Sequence, residues 1–405
     1  MEYIFRRTLL LLFFSYPLSA NPTLFSPPPS IRSLAAVLMD ATSGEILYAK
    51  NADLPHPPAS LTKVLTIHIL LSKIKAKEFS FDTEVPIPME SWAVNLPPDS
   101  SLMFLGPRQK ATVKDILLGL AVASGNDAAI AAAYFVDGSV SAFAERMNRE
   151  VQALGLQSLH FVEPSGYDAN NRITAREFAQ FLKYYLETHP ESLESLHKVQ
   201  QFTYPRLENL IEGNPMKPIT QYNRNSLIFT HPWVDGIKTG FLYESGFNLA
   251  ATASQNGMRL LVVLLGATAP SRFQAIQLRN QEAIQLLEYG FANFTSLQFP
   301  LPALKPIRVW KGSPSSFLPK IPSSIPLTIR KGRESQIRVE YSQTFYLEAP
   351  VSPNTNIGKL LVYDGEVLIK EGNLQAGKSI PRGSTFRVLL DTCIRFFRTL
   401  LRLPT

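Results

Sequence analysis

Cysteine is almost missing: Cys393 stands alone among 405 residues, which excludes an intramolecular disulfide and any CxxC zinc or redox pair. Charged residues are also sparse, at 18 % against 45 % hydrophobic, and the 21 glycines follow no period. The chain is therefore neither disordered, nor a coiled coil, nor collagen-like, and must fold around apolar cores. Its histidines (His56, His68, His160, His189, His197 and His231) show no HExxH pattern and no close ligand spacing. A metal-dependent hydrolase thus lacks support, and no metal or cofactor is expected. No GxSxG occurs, which argues against an α/β-hydrolase elbow. There is no internal repeat or low-complexity tract.

At roughly 150 residues per domain, the length suggests two or three domains. The chain begins with Arg6 and Arg7, an apolar run from Thr8 to Leu18, and the small residues Ser19 and Ala20. This is the pattern of a secretory signal peptide over residues 1–20, too short to span a bilayer. A Pro- and Ser-rich stretch, 21–33, reads as a linker.

The net charge of +7 is unevenly placed, with sixteen Lys and Arg against seven Asp and Glu from Lys305 to Thr405. Without a recognition motif or interleaved aromatics this basic excess does not indicate nucleic acid, and export favours an anionic membrane surface. At 100° per residue, Arg395, Arg398 and Arg402 share one face of the C-terminus. Ile394, Phe396, Phe397, Leu400, Leu401 and Leu403 fill the rest. Residues 389–405 accordingly read as an amphipathic interfacial helix, the alternative being a helix docked on the body.

Between these ends, Ala35–Met39 and Glu45–Tyr48 predict a hairpin with a buried inner face, followed by a helix from Ser60. Apolar spacing of three and four predicts helices between Ala111 and Asn148. Phe247–Ala253 and Arg259–Leu265 read as strands, and Arg272–Phe291 as one long helix. Helices in the middle with strands at both ends predict an α/β (α+β) domain over 34–296, an antiparallel sheet with a helical subdomain. Alternating runs over 297–388 predict a small all-β domain, with Asp364-Gly365 as a two-residue hairpin turn.

Three short motifs carry chemistry. Ser60-Leu61-Thr62-Lys63 is SxxK, Ser124-Gly125-Asn126 is SxN, and Lys238-Thr239-Gly240 is KTG. Residues three apart share a helix face, so Lys63 can place its amine beside the Ser60 hydroxyl. An ammonium cannot take the hydroxyl proton, so Lys63 must be held neutral, by desolvation and by nearby positive charge such as Lys238. Pro57, Pro58 and Ala59 favour a tight start to the helix, with Ser60 in its first turn. Ser124 can relay a proton and Asn126 can hold an amide. Lys238 and Thr239 suit a carboxylate from an edge strand, with Gly240 letting a substrate backbone approach. Taken singly, each motif also fits an ordinary helix start, a helix-connecting turn or a polar hairpin.

In conjunction and order, the trio resembles that of class A β-lactamases and penicillin-binding proteins. The match extends through Ala35–Thr66, Ser101–Phe104, Gly119–Ala129, EPSGYDANNRITAR at Glu163–Arg176, Asn223-Arg224-Asn225, and VDGIKTGFLYESGFNLA at Val234–Ala250. The chain is similar to the low-molecular-mass penicillin-binding proteins, the serine-type D-Ala-D-Ala carboxypeptidases of peptidase family S11. That resemblance implies removal of the terminal D-alanine from peptidoglycan stem pentapeptides through an acyl-enzyme on Ser60, and covalent inhibition by β-lactams. It implies Lys63 as general base, Ser124 in proton return, and Asn126, Lys238, Thr239 and Gly240 in substrate binding. It also implies the backbone N–H groups of Ser60 and Phe241 as oxyanion hole. Arg224 is a candidate for carboxylate steering, a structural salt bridge being its alternative. Residence at the periplasmic face of the bacterial cytoplasmic membrane, peripherally anchored, is implied too. The sequence departs from the family at Phe241, where many relatives carry a polar residue, and at Tyr167, where leucine is usual.

Other readings stay open at this point. A D,D-endopeptidase uses the same residues on a cross-linked peptide. A class A-like β-lactamase shares the trio, but no ExxLN segment is present and the β-domain is foreign to it. A non-catalytic peptidoglycan-binding protein would keep the fold without needing the complete trio.

Overall fold

The computed structural model describes residues 26–401. The predicted signal peptide, the first part of the linker, and Arg402 and Leu403 lie outside the described residues. The linker reading, 21–33, ends too late. Ile31 and Ser33 are buried, and the Glu282 carboxylate accepts from the backbone N–H groups of Arg32 and Ser33. A buried carboxylate takes such donors in place of water, which ties the chain down two or three residues earlier than composition suggests.

The central sheet comprises β1 (Ala35–Asp40), β2 (Ile46–Lys50), β3 (Val234–Leu242), β4 (Gly246–Gln255) and β5 (Met258–Ala267), in the antiparallel order β2-β1-β5-β4-β3. The predicted hairpin is present, but β1 is buried on both faces, not one. Side chains alternate along a strand. Ala35, Val37 and Met39 enter one apolar cluster with Val263 and Leu265, while Ala36 and Leu38 enter another with Val262 and Leu264. The apolar run Ala35–Met39 suits this doubly covered position.

On the first face lie α1 (Lys63–Lys75), α2 (Val113–Leu118), α3 (Asn126–Asp137), α4 (Val140–Ala153) and α5 (Ala175–Thr188). The small-residue run Ala128, Ala129, Ala131, Ala132 and Ala133 is fully buried in α3, which permits close helix packing. On the second face, α6 (Arg272–Asn293) buries Ala283, Leu286 and Leu287 against β4 and β5. Its Gly290 is required there, since a Cβ would come within 2.5 Å of Leu260 Cδ1.

Beyond α6 come β6 (Phe294–Pro300), β7 (Ile307–Trp310), β8 (Ser316–Phe317), β9 (Ser324–Arg330), β10 (Ile337–Gln343), β11 (Tyr346–Glu348), β12 (Asn356–Asp364) and β13 (Val367–Gln375). They form three small sheets, β6-β9, β8-β7-β11 and β10-β12-β13. The β12–β13 turn is one residue later than predicted. Asp364 pairs with Val367, so Gly365 and Glu366 are the loop, and Gly365 has φ +61°. The glycine thus occupies the first loop position, where a left-handed backbone is needed.

The last helix, α7, spans Thr385–Leu400 and so starts four residues before the predicted 389. Ser384 caps it by accepting from Arg387 N. Asp391 is fully buried, accepts from Lys311 N at 2.6 Å, and pairs with Arg387. The N-terminal half is therefore docked, while Phe396, Phe397, Leu400 and Leu401 are exposed. Arg395, expected on a free basic face, pairs with Glu348.

Candidate active site

Ser60 lies in a 3₁₀ turn, Ala59–Thr62, immediately before α1, one step ahead of the helix predicted from it. Ala59, just before, has φ +51°, a backbone state that costs on the order of 1–3 kcal/mol and persists only where the surroundings enforce it. Two glycines supply that enforcement. A Cβ on Gly166, where φ is +81°, would fall 1.8 Å from Ala59 O. A Cβ on Gly240 would fall 2.7 Å from Pro58 O and 3.1 Å from Ser60 N. Gly240 was expected to admit a substrate backbone; its close neighbour is the turn that carries Ser60. Strand β3 is at the sheet edge, as predicted for the KTG residues, and runs directly against this turn. Asn248, paired with Gly240 across β3–β4, donates to Pro57 O at 2.9 Å and fixes the same turn from the sheet side.

Lys63 is fully buried, and its Nζ lies 3.0 Å from Ser60 Oγ, 2.7 Å from Asn126 Oδ1 and 2.6 Å from Ser165 O. A neutral amine satisfies this arrangement by donating to the two acceptor oxygens and accepting from the serine hydroxyl. Burial pushes the Lys63 ammonium down to about 7, against the pull of the Glu163 and Asp127 carboxylates. Of the two causes expected, desolvation leads, and it is strong because helices and sheet close over the side chain; the charge of Lys238 is not among the causes of the shift.

Ser124 follows a π-helical turn, Gly119–Ala123, and itself has φ +61°. A widened turn ended by a left-handed residue aims the hydroxyl out of the helix line and into the cleft. Its Oγ accepts from Lys238 Nζ at 2.9 Å, and that ammonium also donates to Thr239 O at 3.1 Å. Lys238 is buried, and desolvation, then the charges of Lys63, Arg224 and Arg279, push it well below the ordinary lysine value. Asn126 opens α3, and Asp127 beside it accepts from the N–H groups of Met103, Phe104 and Leu105. This carboxylate locks the loop across the cleft to the helix start.

The structure thus brings Ser60, Lys63 and Asn126 into one hydrogen-bonded cluster and Ser124 and Lys238 into a second beside it, although about two-thirds of the domain separates Ser60 from Lys238 in sequence. Thr239 is buried beside them. Arg224 is outside this cluster. It is exposed, and its expected alternative, a structural salt bridge, is not formed among the described residues. The flanking asparagines do the structural work: Asn225 donates to Gly236 O at 3.0 Å and Asn223 to His197 O at 3.1 Å.

Glu163 was not singled out from the sequence except within the matched stretch. Its carboxylate accepts from the N–H and hydroxyl of Ser165 and from Asn171, holding the loop whose Ser165 carbonyl meets Lys63. Above the cluster is a cavity of about 190 Å³ whose lining includes Ser60, Asn126, Tyr167, Phe241 and Tyr243. The Phe241 ring packs against Phe247, centroids 4.4 Å apart and planes tilted by 31°, and lies 4.4 Å beneath the Arg272 guanidinium. Its bulk therefore forms part of the wall.

Chemically, a hydroxyl beside an amine poised near neutrality is an activated nucleophile. A second hydroxyl–lysine pair beside it can move a proton or meet an anion. No group of His, Cys, Asp or Glu able to hold a metal occurs among the described residues.

Comparison with known proteins agrees with this chemistry. The sequence profile described as D-alanyl-D-alanine carboxypeptidase, peptidase S11, matches residues 22–269, and that of the penicillin-binding protein 5 C-terminal domain matches 302–382. D-alanyl-D-alanine carboxypeptidase DacA of Escherichia coli (strain K12) is 32 % identical over 378 residues, covering 91 % of this chain and 89 % of that one. The solved structure of penicillin binding protein 5 from Haemophilus influenzae superposes with a TM-score of 0.76 at 33 % identity, covering 88 % of this chain and all of the other. Penicillin-Binding Protein D2 of Listeria monocytogenes, solved in an ampicillin-bound form, gives 0.55 at 26 % identity, covering 66 % of this chain and 100 % of its own. With a nucleophile cluster of this design and family likeness across most of its length, the chain belongs to the D-alanyl-D-alanine carboxypeptidases of peptidase family S11.

Proposed function

We propose that this chain is a serine-type D-Ala-D-Ala carboxypeptidase that trims peptidoglycan stem pentapeptides, with roles assigned as follows. Ser60 Oγ attacks the carbonyl between the two D-alanines while Lys63 Nζ takes the hydroxyl proton. A C–O bond forms and the carbonyl oxygen becomes an oxyanion, met by the backbone N–H groups of Ser60 and Phe241. One such donor is worth about 3–4 kcal/mol of barrier. Collapse breaks the C–N bond, and the leaving amine receives a proton through Ser124, which Lys238 keeps oriented. Water, deprotonated by Lys63, then hydrolyses the ester and regenerates Ser60. Asn126 positions the acyl chain; Lys238, Thr239 and the exposed Arg224 attract the terminal carboxylate. A β-lactam undergoes the same attack, but its leaving nitrogen stays tethered, so the adduct persists.

The observation that carries this reading is the 3.0 Å contact between Ser60 Oγ and a fully buried Lys63 Nζ. Labelling with fluorescent penicillin tests it. The wild-type chain is expected to label and Ser60→Ala to lose labelling entirely; equal labelling of the two would sink the assignment. Release of free D-alanine from a pentapeptide, without conversion of a cross-linked dimer into monomers, separates the carboxypeptidase from the endopeptidase.

The docked yet apolar-faced α7 supports peripheral anchoring at the periplasmic face of the cytoplasmic membrane. No helix among the described residues is long and apolar enough to cross a membrane. The exposed Phe396, Phe397, Leu400 and Leu401 suit the acyl–headgroup boundary.

A further inference from the structure

Lys238 is held from behind as well as from the cleft. It follows Gly236 and Ile237 in β3, and two separate segments of chain close on that pair of residues. Asn225 donates to Gly236 O at 3.0 Å. A π-helical turn, Leu193–His197, packs so tightly that a Cβ on Gly236 would fall 3.2 Å from Leu193 Cδ2 and 3.3 Å from His197 Cβ. His197 is fully buried in this turn, its Nδ1 3.1 Å from Ile237 O and its Nε2 2.6 Å from the Tyr185 hydroxyl on α5.

These contacts fix the tautomer. A carbonyl oxygen only accepts, so Nδ1 carries the ring proton and donates to Ile237 O. The lone pair on Nε2 then accepts from the Tyr185 phenol, which burial raises well above the usual tyrosine value and so keeps protonated. Burial likewise holds the His197 ring neutral, down at about 4, and the Lys238 charge pushes in the same direction. Asn223 donates to His197 O at 3.1 Å, tethering the turn as well as the ring. With both nitrogens spent on Tyr185 and Ile237, this histidine exchanges no proton with the cleft.

We propose that His197 is a positioning residue for Lys238. Through Ile237 O it fixes the peptide from which the lysine reaches Ser124 Oγ and, on the carboxypeptidase reading on which this rests, the terminal carboxylate of the substrate. The coupling is one peptide unit long. Ile237 C=O and the Lys238 nitrogen share a plane, so a turn of that carbonyl turns the start of Lys238 with it. The lysine has little slack, since its Nζ must meet Ser124 Oγ at 2.9 Å and Thr239 O at 3.1 Å together.

The test uses side chains that keep one ring contact at a time. In His197→Asn the amide nitrogen takes the place of Nδ1 and still donates to Ile237 O. In His197→Gln the amide lies one atom further out, at the place of Nε2, and keeps only the Tyr185 contact. The readout is a matched pair of boronic acids that add to Ser60, acetamido(phenyl)methylboronic acid and its 3-carboxyphenyl analogue, competing with penicillin labelling of the full chain. The wild type is expected to prefer the carboxylate by at least about tenfold. In His197→Gln that preference is expected to fall to near one while the analogue without a carboxylate binds as before, and in His197→Asn most of it is expected to return. His197→Met, which fills the space without a donor, gives the same reading if the glutamine variant misfolds. A preference that survives without the donor, or is lost equally in His197→Asn, overturns the proposal. A wild-type preference near one refutes Lys238 as carboxylate partner instead. The rate of penicillin labelling then reads His197 by itself: His197→Gln slower than His197→Asn is expected, and equal rates reject the proposal.

Discussion

The catalytic body and the β-domain spend apolar surface differently. In the body, both faces of the sheet are covered and the resulting interior accommodates Lys63, Lys238, Asp127 and Glu282. Each of these is costly to bury and persists only because oxygen or N–H partners meet it. The β-domain has two small clusters, one buried carboxylate in Asp391, and an apolar helix face turned outward. The contrast teaches that a thick core can hold ionisable groups in altered states for chemistry. A thin one supports placement.

Four results would break or sharpen that contrast. The largest effect is expected from Gly240→Ala, whose Cβ would meet Pro58 O at 2.7 Å. Moving the Ser60 turn by even part of an ångström should cut the penicillin acylation rate by about 10²-fold, whereas Gly372→Ala, with open space around it in the β-domain, should leave the rate unchanged. Next, ending the chain after Arg395 keeps the Asp391 and Glu348 contacts but removes the exposed Phe396, Phe397, Leu400 and Leu401. Activity on soluble peptide is expected to survive while sedimentation with anionic vesicles is lost; continued sedimentation would place the membrane contact elsewhere.

The smallest effects are those of pH, and they belong to the body. Acylation should rise with pH through about 7 as Lys63 loses its proton, and a flat rate profile there would count against its role as base. Stability has a separate window. His68 and His197 are held neutral by burial, lowered from 6.5 to about 4, while the unfolded chain protonates near 6.5. Between those values the unfolded state binds more protons, so stability is expected to fall as pH drops from 6.5 toward 4. The loss approaches about 3 kcal/mol per ring when complete. Thermal melts across that range, with His197→Phe as comparison, measure it.

Much of the site was legible because the motifs are local. SxxK places a lysine beside a serine by helical spacing alone, and the KTG residues announced an edge strand before a long apolar run. Glu163 was harder to single out, since a carboxylate in a polar loop looks like any solvated charge until the fold shows what faces it. Gly240 stood out in the sequence, but that the Ser60 turn packs against it did not. An absent side chain says that something approaches, and only the packing says what. The hairpin at Ala35 was seen, but not that a second helical layer covers its outer face, because the helix doing so, α6, lies more than 200 residues away.

The sequence by itself determined the elements, their order and the residue types that can do acyl transfer, since propensity, periodicity and spacing act over a few residues. The tertiary structure decided which groups converge and what state they are in. The depression of Lys63, the contact of Lys238 with Ser124 and the approach of Gly240 to the Ser60 turn depend on desolvation and distance between segments far apart in the chain.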